Sequence, residues 1–266
     1  MESLPLELCI HHIFNNIDTT SVVRSMRISK YWKELIEQVL PHLEIDVSYN
    51  EFISDNNLVI FSENKSINLS HCLSLTGSTV WLIQPDKLNL EGCINLSDCV
   101  LKYLIGIKEL NIRGIYDSKD YRINNEYLSE LRKLTVKAGR GTKYIFVMGA
   151  SKLSHLTIQD FLITPELFKQ YQQLTTIHFI NCSFNSDFCY NKSNINYYKK
   201  IESITFDYCS DQVNLDDYDD RIDYIIAFVT KYLPNTCIIT FHHNIDDKEI
   251  NINNITKEEF LKLIKQ

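Results

Sequence analysis

The sequence predicts an α/β solenoid of about nine short strand-and-return units, preceded by a small all-α segment of three helices. Three observations predict it. First, the pattern apolar-x-x-apolar-x-apolar returns as Ile107-Leu110-Ile112, Leu131-Leu134-Val136, Leu153-Leu156-Ile158, Leu174-Ile177-Phe179 and Ile201-Ile204-Phe206, with steps of 24, 22, 21 and 27 residues at the middle position. That length holds one short strand, a turn and a returning segment. Second, weaker copies continue the register: Ile45-Val47, Ile67-Leu69 and Leu88-Leu90 step by 22, 21 and 22 residues up to Leu110, and Ile239-Phe241 follows Ile204 by 35. Third, the first 42 residues break this period and carry helical spacing instead.

The helical segment opens at Leu4-Pro5-Leu6-Glu7-Leu8, with Ser3 available as a cap and Pro5 in the first turn, where its missing donor costs nothing. Leu8, Ile13, Phe14 and Ile17 form the apolar positions of this first helix. Asp18-Thr19-Thr20-Ser21 stops it and supplies a new cap for a second helix through Val22, Val23 and Met26. Ser29 caps a third carrying Trp32, Leu35, Ile36 and Val39, which Pro41 ends. The order and spacing of Leu4-Pro5, Glu7-Leu8, Ile13-Phe14, Ile17-Asp18, Val22-Val23 and Ile28-Ser29-Lys30-Tyr31-Trp32 resemble the F-box. The family's usual cysteine in the last motif is Ser29 here, while Lys30 and Trp32 keep the basic residue and the tryptophan.

The resemblance implies docking on the Skp adaptor of a cullin-RING ubiquitin ligase, through Leu4, Pro5, Glu7, Leu8, Ile13, Phe14, Ile17, Val23, Lys30 and Trp32. About 40 residues cannot bury much apolar surface by themselves, so exposed Leu, Phe and Trp in such a segment favour a partner. The competing role is to cap the open end of the solenoid, which every repeat array must cover. The two roles are compatible.

From Leu43 the repeat begins without a linker. Within each strand the apolar pair points one way and the intervening x residues the other, because side chains alternate with period two. One unit cannot bury its pair alone, so neighbours stack. Three residues after the second strand apolar stand Asn50, Cys72, Cys93, Ile115, Gly139, Phe161, Cys182, Cys209 and Asn244. Four cysteines in that one register make the chain resemble the cysteine-containing leucine-rich repeats often found with F-boxes; the central units, Ile115 to Phe161, lack them. The resemblance implies a concave sheet face and a convex face of helical or irregular returns, the latter expected at Asp98 to Leu104, Asn125 to Leu131 and Pro165 to Tyr171.

Two insertions interrupt the array. Ser183 to Lys199 is polar and expected as an exposed loop. Asp211 to Pro234 starts acidic and continues with Ile222, Ile225, Ile226, Val229 and Leu233 at helical spacing, which places negative charge at a helix N-terminus. After the last strand, Thr256-Lys257-Glu258-Glu259 is a capping box that opens a C-terminal capping helix. The expected domains are residues 1–42 for the F-box, 43–245 for the solenoid and 246–266 for the C-terminal cap.

Composition narrows the function class. The net charge of -7 argues against nucleic-acid binding, which needs a basic footprint. No apolar stretch approaches the roughly 20 residues of a membrane span, and the N-terminal residues lack the basic-then-apolar order of a secretory signal. A cytoplasmic or nuclear location is expected, with the eight cysteines as free thiols, small buried hydrophobes and not disulfides. The six Asn-x-Ser/Thr sequons, Asn64 among them, are then chance products of an asparagine-rich composition. Abundant Ile, Asn, Lys and Tyr suggest an AT-rich genome, such as those of certain protists and large DNA viruses.

Catalysis finds no support in the spacing. His178 and Cys182 lie four apart, but the register buries Cys182 and turns His178 to the opposite face. The His11-His12 and His242-His243 pairs lack further ligands at metal spacing and are expected on the surface, so no metal or cofactor is expected. The sequence therefore predicts a non-catalytic, monomeric subunit of a hetero-complex, in which the F-box holds the Skp adaptor, and through it a cullin, while the concave face holds a protein target. Asn89, Asn111, Arg113, Lys133, Thr135, Lys137, His155 and Thr157 are the expected target contacts, a locally basic stretch suited to an acidic or phosphorylated segment. The alternative is a repeat module that binds a partner outside any ligase, its F-box-like helices serving only as a cap.

Overall fold

A computed structural model describes Leu8 and residues 17–96, 98–115, 121–124, 128–137, 145–148, 150–164, 167, 171–185, 200–212, 218–219, 223–245 and 248–264. The chain divides into two compact units, Met1–Ile115 and Tyr116–Gln266. Strands form at each of the expected apolar pairs, and the main sheet of this mixed α/β chain is largely parallel.

The first unit begins with α1 (Thr19–Ser25) and α2 (Lys30–Val39). Asp18 caps α1, accepting from the Ser21 amide at 2.9 Å, and Ser29 caps α2, accepting from the Trp32 amide at 3.2 Å. Each short polar side chain satisfies an amide that the first helical turn leaves without a partner. Val22, Ile36 and Val39 turn inward and are buried. The expected first helix lies outside the described residues except for Leu8, which is helical.

Four three-residue parallel strands follow: β1 (Glu44–Asp46), β2 (Ser66–Asn68), β3 (Lys87–Asn89) and β4 (Glu109–Asn111), in register as Ile45, Ile67, Leu88 and Leu110. These central residues are buried while their neighbours on the other face are not, as the period-two reading requires. The strands end where they do because the last residue is Asp or Asn. Asp46, Asn68, Asn89 and Asn111 each accept from the amide two residues on, at 2.9, 3.1, 3.0 and 3.1 Å. This side-chain turn pulls the backbone out of the ladder. Tyr49, His71, Gly92 and Gly114 then adopt left-handed backbone, with φ of 56, 57, 70 and 78°.

Behind the turns, Cys72 and Cys93 are fully buried, and each thiol donates to a carbonyl of the preceding rung, Val47 O at 3.1 Å and Leu69 O at 3.0 Å. The register cysteines are thus hydrogen-bonding staples between rungs as well as small apolar fillers. Burial raises the Cys93 thiol to about 11. The returns are short 3-10 turns, Asp55–Phe61, Val80–Leu82 and Asp98–Tyr103. The helical segment joins this array directly: Thr19 Oγ1 accepts from the Asp46 amide at 3.1 Å, and buried Asn64 donates to the carbonyls of Leu40 and Leu43. Asn64 is therefore a structural amide that ties the helical segment to the second rung.

The second unit contains β5 (Tyr121–Asn124), β6 (Lys133–Lys137), β7 (Ile145–Met148), β8 (His155–Gln159), β9 (Leu162–Ile163), β10 (Thr176–Ile180), β11 (Ser183–Asn185), β12 (Ser203–Asp207), β13 (Ser210–Gln212) and β14 (Tyr218–Asp219). It ends with α3 (Asp223–Tyr232), β15 (Ile238–Ile245), β16 (Lys248–Thr256) and α4 (Lys257–Ile264). Strands β6, β8, β10, β12 and β15 are parallel and in register. They run longer than in the first unit because Thr or His replaces Asn at the third position, and a β-branched residue continues a strand where Asn diverts it.

Three findings depart from the sequence reading. After the buried Phe161, Cys182 and Cys209, the chain enters in turn β9, β11 and β13 of a second small sheet, closed by antiparallel β14, so the start of the expected loop at Ser183 is a strand; the rest of that loop lies outside the described residues. The segment expected as a plain C-terminal cap contributes β16, nine residues antiparallel to β15, before its helix. And His243, expected at the surface, is buried against Phe241, with ring centroids 5.7 Å apart.

An aromatic core fills this unit. Phe184 meets Phe179 at 5.3 Å and Phe228 of α3 at 5.5 Å, while Phe241 meets Phe260 of α4 at 5.4 Å. The helix opening at Lys257 thus covers the last parallel strand. Thr256 and Glu259 complete the expected capping box, and the Lys257 ammonium donates to Thr230 O and Leu233 O, both at 2.7 Å, closing the C-terminal end of α3. Among the described residues no helix is long and apolar enough to cross a membrane, and no group of three His, Cys, Asp or Glu is placed to hold a metal ion.

Candidate protein-binding surfaces

Two surfaces follow from the sequence reading, one on the helical segment and one on the sheet. On the helical segment, the inward positions are used up by Val22, Ile36 and Val39, which leaves Leu8, Ile17, Ile28 and Tyr31 exposed. Ile28 is 68% exposed in the connection between α1 and α2, a position the sequence reading assigned to the motif but not to the docking surface. Val23 and Trp32 are half-buried; Lys30 is exposed and lies 3.6 Å from Glu34. Leu4, Pro5, Glu7, Ile13 and Phe14 lie outside the described residues. A segment this short with isoleucine and tyrosine left in water has apolar area to give to a partner.

On the sheet, each expected target residue sits at an outward x position, but several are already engaged. In the first unit, Asn89 holds the Glu91 amide, and Asn111 both holds the Arg113 amide and donates to Glu91 at 3.1 Å. The Arg113 guanidinium is spent on the same carboxylate: Nε donates at 2.9 Å and a terminal nitrogen lies at 2.7 Å. Arg113, an expected target contact, is thus engaged by Glu91, which stands one rung before it in the same register. Neighbouring x positions across the ladder, 22 residues apart, choose each other as ion-pair partners.

In the second unit, the outward rows read Lys133, His155, Thr176, Ser203, then Thr135, Thr157, His178, Thr205, Thr240, then Lys137, Gln159, Ile180, Asp207, His242. Lys137 is paired with Asp160 at 3.1 Å, and His155 shares a 2.8 Å hydrogen bond with Ser154. Lys133 is exposed, and Thr135 and Thr157 are half-exposed. His178 Nε2 and His242 Nδ1 both donate to the Asp207 carboxylate, the second at 2.7 Å. His178 thus faces Asp207 and not Cys182, whose thiol donates to Ile158 O at 3.4 Å on the buried side. A base and a nucleophile on opposite faces of a strand perform no joint chemistry. The His178-Asp207-His242 bridge went unread in the sequence because its members lie 29 and 35 residues apart, on three strands that meet only in the fold.

Among the described residues the sheet face thus carries paired charges among hydroxyls. No curated protein matches this chain. Residues 1–43 match the F-box domain. F-box domains bind the Skp adaptor in SCF ubiquitin-ligase complexes, and F-box proteins are generally non-catalytic adaptors, so this domain points to a substrate-recognition adaptor.

Proposed function

We propose that the chain is the substrate-recognition subunit of an SCF-type cullin-RING ubiquitin ligase, with the F-box on the Skp adaptor and the outward sheet face on a protein target. The observation that carries this is the F-box at residues 1–43 followed at once by the first repeat strand, with Asn64 bonding both sides of the junction. A short, braced junction fixes the first repeat strand against the adaptor-binding segment. Its contribution to ubiquitin transfer is positional, raising the effective concentration of target lysines near the charged conjugating enzyme. The repeats are read as a cysteine-containing leucine-rich solenoid over residues 43–245, with 246–266 as its cap; the thiol-to-carbonyl staples at Cys72, Cys93 and Cys182 support that class.

The target surface is assigned to Lys133, Thr135, Lys137, His155 and Thr157 of the second unit. Lys133 and His155 are exposed there, and an acidic or phosphorylated segment would compete with Asp160 for Lys137. The protein works as a monomer within its complex, in the cytoplasm or nucleus. Affinity purification with mass spectrometry tests this. Co-recovery of adaptor and cullin supports the ligase reading, whereas a partner recovered without them favours a binding module outside any ligase. Charge reversal at Lys133 and Lys137 should release the target and keep the adaptor.

A further inference from the structure

The turns that follow β1, β2 and β3 carry an apolar ridge that neither the F-box nor the sheet face uses. Phe52 is 83% exposed, Ile94 63% and Leu73 48%, with Tyr49 at 73% beside them. The ridge is held rigidly. Tyr49 stacks on His71, with centroids 4.4 Å apart and planes 12° apart. The turns are also tied rung to rung, Ser74 donating to Glu51 O at 2.9 Å and Asn95 to Leu73 O at 2.7 Å. Leu73 and Ile94 hold the same place in successive turns, Phe52 stands one residue later in its own, and apolar side chains on turns tied in this way lose little freedom on binding.

Backbone accounting sets the kind of partner. The amides of Tyr49, His71 and Gly92 already donate to the next rung, at Ser70 O, Glu91 O and Arg113 O, and those of Cys72 and Cys93 close their own turns. An extended peptide would find no row of open amides here, so strand addition is disfavoured. A helix brings its own backbone bonds satisfied. Its pitch of about 5.4 Å also lies close to the spacing of about 4.8 Å between parallel strands, so residues at i, i+4 and i+7 fall on successive rungs.

Charge sets the flank. Between residues 43 and 95 the acidic residues are Glu44, Asp46, Glu51, Asp55, Glu63, Asp86 and Glu91, against the cations Lys65 and Lys87. Lys65 precedes β2 and Lys87 opens β3, at the opposite end of the strands from the turns, whereas Glu51 is exposed within the ridge. We propose that the ridge of Phe52, Leu73 and Ile94 binds an amphipathic helix whose apolar stripe is flanked by Lys or Arg, through residues assigned to neither the adaptor nor the target.

The test uses the full chain and a synthetic 18-residue helical peptide with Leu at i, i+4, i+7 and i+11 and Lys on both flanks, titrated by calorimetry at low salt. Saturable 1:1 binding is expected. It should weaken at least 10-fold in F52S/I94S, and E51K should weaken it while flattening its salt dependence. A scrambled peptide of the same composition should not bind, and W81S, on a return segment, should bind like wild type. Circular dichroism melts of all variants separate lost binding from lost folding. The proposal is overturned if wild type shows no saturable binding, if the scrambled peptide binds equally, or if W81S and not the ridge variant removes binding. It is equally overturned if the ridge instead pairs two copies of the chain, seen as a dimer in light scattering that F52S/I94S dissolves.

Discussion

Replacing Asp55 with alanine removes one carboxylate that organises the whole of the next turn. It accepts from the Thr76 amide at 2.9 Å, the Thr76 hydroxyl at 2.8 Å, the Gly77 amide at 3.0 Å and the Thr79 amide at 3.3 Å. Hydrogen bonds to a charged group contribute about 1.5–3 kcal/mol each when well formed, but the site is half-exposed and water would recover part of the loss. A net cost of about 2 kcal/mol follows for Asp55→Ala, and about half that for Asp55→Asn, which keeps one acceptor oxygen. The two tryptophans, Trp32 and Trp81, both lie in the first unit, so their fluorescence reports its unfolding in urea. With an m-value of about 1.5 kcal/mol/M, the midpoint should fall by roughly 1.3 M at pH 7.

The pH dependence has a definite sign. Burial pushes the Asp55 carboxyl up, but the donors from Thr76, Thr79 and Gly77 together outweigh it and hold it below its ordinary value. The folded state therefore binds the proton less readily than the unfolded state. The stabilisation is complete above the unfolded value and is lost as pH falls through the folded one. Wild type and Asp55→Ala should thus converge in strongly acidic solution. Equal midpoints at pH 7, or a gap that persists unchanged at the lowest pH, would refute the reasoning.

Gly92 has φ of +70°, and a Cβ there would lie 2.4 Å from the His71 ring, so Gly92→Ala should cost about 2 kcal/mol by urea unfolding, with part recovered in the G92A/H71A double variant. The thiols of Cys93 and Cys237, pushed up to about 11 and about 12 by burial, should react slowly with a thiol reagent in native protein at pH 8. Under denaturing, non-reducing conditions all eight cysteines should titrate; fewer would contradict the free-thiol assignment.

Most of the architecture was legible because each rung repeats one physical requirement. The Leu110-Ile112 pair and its equivalents must be buried by neighbours, so period two within a strand and a period near 22 between strands leave one solution. The caps at Ser29 and Thr256 were legible because they need only local spacing. The second sheet was not, since β9 and β11 have two and three residues and show no period. Strand β16 was hidden by its asparagines, which oppose strand propensity while Ile250, Ile252 and Ile255 supply only a broken alternation. The sheet-face chemistry was half legible: outward positions could be read, but the pairing of Arg113 with Glu91 and of both His178 and His242 with Asp207 depends on rotamers that register alone does not set.

The central claim is that residues 1–43 hold the Skp adaptor, and it is tested most directly by titrating purified adaptor into the purified chain and into Pro5→Ala/Leu8→Ala. Leu8 is exposed, so its loss leaves the buried positions Val22, Ile36 and Val39 intact. Truncating an interface anchor typically costs about 2 kcal/mol or more. The expected result is a 1:1 complex for wild type, weakened at least 30-fold in the variant while its circular dichroism is unchanged. Absence of a complex with wild type, or equal affinity in the variant, would contradict the claim.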